Sequence, residues 1–175
     1  ESFTEGFLQE VKDNIEVEEV IEKLITEKEI KFSVQNVLKS KVTNTNLSFF
    51  TWACVNTSVE FVEKLLDTEV DIKEDGHMGL VHAIAYDKFD VAKLLIERRV
   101  DFRPYEDFYS LEVVVTSRNL EIAKLLLEKG ADPNVNDTSS LFLAVEDKNV
   151  KMAALLIEYG ANLTARNNTI IEHAA

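Results

Sequence analysis

The sequence predicts an all-α fold, a solenoid of stacked helix–turn–helix units, and three observations carry that expectation. Only 5 glycines and 2 prolines occur in 175 residues, too few for a turn-rich all-β chain. Apolar residues recur at helical rather than strand spacing. Most telling, four segments align without gaps: Val59 to Asp71, Phe89 to Asp101, Leu120 to Asp132 and Val150 to Asn162. Their closing residues Asp71, Asp101, Asp132 and Asn162 recur at intervals of 30, 31 and 30. Upstream, Phe50, Leu80, Leu111 and Leu141 keep the same intervals, and Ala53, Ala83, Val114 and Ala144 follow three residues later. A repeat of this period means units that cannot bury an apolar face alone and must stack.

Each unit reads as two short helices. The first, as in Leu80 to Tyr86, is apolar and rich in small residues, so that a neighbouring unit can approach closely. The second, as in Leu120 to Lys129, places Leu120, Ile122, Ala123, Leu125 and Leu126 on one broad face, with Glu121, Lys124, Glu128 and Lys129 on the wet side. Gly130 and Gly160 fall just past the last apolar residue, where a helix commonly ends in the left-handed conformation.

Ile122 to Asn134, reading Ile-Ala-Lys-Leu-Leu-Leu-Glu-Lys-Gly-Ala-Asp-Pro-Asn, resembles the second helix and exit loop of an ankyrin repeat, as does Met152 to Asn162. Thr169 to Ala175 resembles the Thr-Pro-Leu-His-x-Ala-Ala start of a further repeat, cut off. The resemblance implies ankyrin-like repeats over 47–175, at about 47–76, 77–107, 108–137 and 138–167, with another starting at 168. Residues 1–46 follow the pattern loosely and read as a degenerate helical cap with an acidic outer face. Chain ends of this kind suggest a fragment of something longer.

Several departures from the family pattern have consequences. The repeat is shorter than the roughly 33 residues of the family, so the protruding hairpin fingers should shrink to short loops, as between Asp132 and Leu141. The family's Pro slot holds Phe49, Gly79, Ser110 and Ser140, and its His slot holds Thr51, Val81, Glu112 and Phe142. Glu69 and Arg99 replace the exit glycine in the first two units.

Charge and chemistry narrow the function. With 32 acidic against 19 basic side chains, net −13, the chain offers no basic excess for nucleic acid or an anionic membrane. No cofactor, metal or catalytic residue is expected. His77 and His82 lie five apart, not at the four-residue spacing that aligns two metal ligands on a helix. Cys54, the single cysteine, sits in a small-residue slot where burial in the stack is expected. Gly76 and Gly79 lack the Lys-Ser or Lys-Thr of a phosphate loop. The acids Asp67, Glu69, Asp71, Glu74 and Asp75 read as a solubilising run, with a basic partner the sharper alternative. The Asn-x-Ser/Thr matches at Asn46, Asn56, Asn136, Asn162 and Asn167 read as turn and cap residues.

What remains is a surface. The resemblance implies a concave groove lined by the first helices. Partner contacts are expected from His77, Tyr86, Phe108, Tyr109, Thr116, Ser117, Glu146 and Asp147, with aromatic side chains as anchors. The aromatics Phe102, Tyr105, Phe108 and Tyr109 around Pro104 fit packing as well as binding. The expected function is a non-catalytic protein–protein interaction scaffold, itself monomeric, whose partner is another protein, one with a basic surface suiting its charge. The alternative is a recognition or docking module of a larger enzyme or pathogen effector. The lone cysteine favours the cytoplasm, or the host-cell cytoplasm for a secreted effector.

Overall fold

A computed structural model describes residues 48–67, 73–98, 100 and 110–164. The expected cap over 1–46, the aromatic loop with Phe108 and Tyr109, the non-glycine exits Glu69 and Arg99, and the start of a further repeat from 168 lie outside the described residues.

Among the described residues there are eight helices and no strand. They are α1 (Phe49–Asn56), α2 (Val59–Leu66), α3 (Lys73–Ala85), α4 (Phe89–Glu97), α5 (Ser110–Thr116), α6 (Leu120–Glu128), α7 (Val135–Glu146) and α8 (Val150–Glu158). Each helix packs on its hairpin partner, α1 on α2 through α7 on α8. Each also packs on its counterpart in the next unit, so α1, α3, α5 and α7 form one row and α2, α4, α6 and α8 another. This two-row ladder is the topology of a solenoid.

The period found in the sequence is the period of the core. Leu65, Leu95, Leu126 and Leu156 are fully buried, as are Ala53, Ala83, Val114 and Ala144. All eight belong to one continuous apolar cluster running from Phe49 to Ala161. Cys54 lies in it, and burial above all pushes its thiol well above the ordinary range. Gly79 explains how closely the first row packs: a Cβ there would stand 2.9 Å from Cys54 Sγ and 3.1 Å from Phe50 Cε1.

The second helices start alike. Ser58, Asn119 and Asn149 accept from the backbone N–H of Phe61, Ile122 and Met152, at 3.2, 2.9 and 3.1 Å. Lys88 occupies this slot in α4 and supplies no cap bond. At the other end Gly130 (φ 97°) and Gly160 (φ 92°) take the left-handed conformation. The N–H groups of Ala131 and Ala161 then reach back to the carbonyls of Leu126 and Leu156, at 3.0 and 2.9 Å. Asp132 Oδ1 accepts from Asn134 N, and Asn162 Oδ1 from Thr164 N, both at 2.9 Å, so the recurring closing residue is a turn former. Asn134 ties its loop to the next one, donating to Gly160 O and accepting from Asn162 N.

Three expectations need correction. The first helices do not begin near Leu80 or Leu141: α3 starts at Lys73 and α7 at Val135, so the shortened finger is replaced by added helix rather than by a short loop. Leu120 is not a core residue but 39% exposed, because as the first residue of α6 it stands at the end of the helix. Leu127, absent from the expected face, is buried instead.

Candidate functional site

Three of the four first-row helices, α3, α5 and α7, end in the same tight turn, whereas α1 ends on an extended Thr57. Asp87, Arg118 and Lys148 have φ values of 58°, 58° and 54°, left-handed positions filled without glycine. The residues just before them form the exposed end of the row: Ala85 and Tyr86, Thr116 and Ser117, Glu146 and Asp147. Tyr86 stands out at 62% exposed. Its ring stacks nearly parallel on His82, one turn back, with centroids 6.4 Å apart. His82 itself is held by Nδ1 on Met78 O at 2.9 Å, so the platform under Tyr86 is fixed.

Between the ends of α5 and α7 lies a cleft of about 450 Å³, walled by Val115, Thr116, Arg118, Leu143, Glu146 and Asp147. Across it Arg118 Nε and Nη2 donate to Asp147 Oδ2 and Oδ1 at 2.7 and 2.6 Å, a two-pronged pair joining adjacent units. The Arg118 bond, more than its charge, holds the Asp147 carboxyl below its ordinary range, and the guanidinium is raised in turn. Thr116 Oγ1 donates to Val113 O at 2.8 Å and Ser117 Oγ to Val114 O at 3.0 Å. Both hydroxyls are thus pinned to their own helix and keep lone pairs to accept with.

The structure brings Thr116, Glu146 and Asp147 together around one cleft, with Tyr86 and Ser117 in the same row. It removes His77 from the surface. That side chain is 2% exposed, because α3 begins before it and carries it inside the stack rather than in an entry loop. Phe108 and Tyr109 lie outside the described residues. Sequence reasoning missed Arg118, Val115 and Leu143. A signal for Arg118 existed: it shares its slot with Asp87 and Lys148, one repeat away from an acidic pair.

The eroded His slot also has a use. Thr51 Oγ1 reaches Asp75 O at 3.5 Å, and Glu112 Oε1 accepts from Asn136 Nδ2 at 3.2 Å and from Ser139 Oγ. Each bond crosses to the start of the following unit. Among the described residues no group of three or more His, Cys, Asp or Glu side chains is placed to hold a metal. None of their helices is long and apolar enough to cross a membrane.

Residues 111–175 match the family model for ankyrin repeats, in 3 copies. Over that stretch the chain is similar to ankyrin repeats. The match opens on α5 and takes in the cleft, whereas the units of α1–α2 and α3–α4 precede it with the same two-helix topology. Ankyrin repeats are generally protein–protein interaction modules and typically lack catalysis. Comparison with curated proteins finds no match.

Proposed function

We propose that this chain is a non-catalytic scaffold that holds a partner protein along the row formed by the ends of α3, α5 and α7. The observation that carries the reading is Tyr86, a large aromatic left mostly outside the core on a rigid platform, in register with the cleft at Thr116 and Glu146. Aromatic side chains so placed are the usual anchors of an interface. The buried thiol of Cys54 and the single cysteine fit a reducing compartment, so the proposed setting is the cytoplasm, with the chain acting as a monomer.

Tyr86→Ala should weaken capture of the partner severalfold while leaving the melting temperature nearly unchanged, as read by a binding assay and thermal unfolding side by side. A large drop in melting temperature would make Tyr86 a packing residue. Unchanged partner binding would remove it from the interface.

A further inference from the structure

The walls of the α5–α7 cleft differ sharply in what they leave unsatisfied. Val115 is buried and Leu143 half-buried, giving the cleft an apolar floor. Arg118 and Asp147 balance one another's charge through two short bonds. Glu146 does not share in this. Its side chain is exposed at the rim and has no hydrogen-bond or ion-pair partner among the described residues. With Asp147 neutralised by Arg118, the cleft keeps one net negative charge, set beside an apolar surface.

Resting on the scaffold reading of this row, we propose that the cleft takes a cationic side chain, arginine or lysine, presented by an extended basic segment of the partner. The aliphatic stem of such a residue lies on Val115 and Leu143, as long cationic side chains cover apolar surface while keeping the charged head wet. The head pairs with Glu146, and Thr116 Oγ1, already donating to Val113 O, can accept a second bond from it. At about 450 Å³ the cleft has room for one long side chain and the backbone that carries it. An acidic occupant is disfavoured because it would face Glu146 and meet an Arg118 whose charge is already balanced by Asp147. The chain's net charge of −13 adds a field that speeds encounter with a basic segment and weakens with salt.

The test is an NMR titration of the ¹⁵N-labelled full chain with four acetylated, amidated pentapeptides. Each has glycine and serine flanks, and the central residue is arginine, lysine, citrulline or glutamate. The arginine and lysine peptides are expected to shift the amides of Thr116, Leu143, Glu146 and Asp147, and the citrulline and glutamate peptides are not. Glu146→Gln should weaken the arginine peptide by about fivefold, the upper range for an exposed ion pair. Arg118→Gln should instead tighten it, because Asp147 is then freed. Equal binding of citrulline and arginine, binding of the glutamate peptide, or an indifferent Glu146→Gln protein would each overturn the proposal. If the cationic peptides fail while Tyr86→Ala still loses the partner, only the occupant is wrong and the scaffold reading stands.

Discussion

Lys88 shows how a single slot sets local stability. Its backbone (φ −83°, ψ 62°) lies close to that of Asn149 (φ −84°, ψ 79°), yet only the asparagine side chain caps its helix. Lys88→Asn should therefore stabilise the protein by about 0.5–2 kcal/mol, the usual worth of an N-cap, in chemical denaturation. No gain would mean that the cap geometry is not transferable. Asp147 offers a second residue-scale check. Its carboxyl is held low by Arg118, so the pair favours the folded state above the ordinary carboxylate range. That contribution fades as pH falls through the lowered folded-state value. In Arg118→Gln, a carbon-detected carboxyl titration should find the Asp147 midpoint raised, and the stability gap to wild type should close toward acid. An unmoved midpoint would contradict the pair. Some of this was legible beforehand: the exit glycines and the closing Asp and Asn follow from turn chemistry. His77 was not, because its fate depended on where α3 begins, and helix starts are weakly marked when no capping residue announces them.

At the scale of elements, helix type and pairing follow from periodicity, whereas helix length does not. The apolar stripes of α4, α6 and α8 are sharp, and the expected span Leu120 to Lys129 matches α6 to within a residue. The first helices α3 and α7 open on polar stretches (Lys73, Glu74 and Asp75; Asn136, Asp137 and Thr138) before their apolar residues, so periodicity leaves their starts undefined. One close joint between elements is at Gly79. Gly79→Ala would drive a methyl into Cys54 and Phe50, and such overpacking typically costs about 1–3 kcal/mol. Thermal unfolding should show the loss, and a neutral result would mean that α1 and α3 can move apart. By contrast Arg98, which bonds Asp67 at 2.6 Å and Glu63 at 2.7 Å across units, is a surface clamp. Water and salt screen such pairs, so despite its short distances it contributes little compared with the seam beneath it.

For the whole molecule, one apolar cluster joins all four described units, and no unit has an interior of its own. The repeat interval made this legible without coordinates, since residues recurring every 30 or 31 positions in several slots at once must be meeting their own counterparts. The cleft was legible only in part. Thr116, Glu146 and Asp147 were found because they share register, but the pairing of Arg118 with Asp147 depends on a left-handed turn that sequence alone does not mark. The interdependence of units is tested most directly by Leu126→Ala, read at a distance. Trp52, the single tryptophan, sits half-buried in α1, two units from the substitution, with its ring 5.6 Å from that of Phe49. Removing the buried leucine should cost about 2–5 kcal/mol. Trp52 fluorescence and far-ultraviolet circular dichroism should then report one transition, lowered together. A Trp52 transition left where it stands in wild type would mean separate cores and would contradict the shared seam.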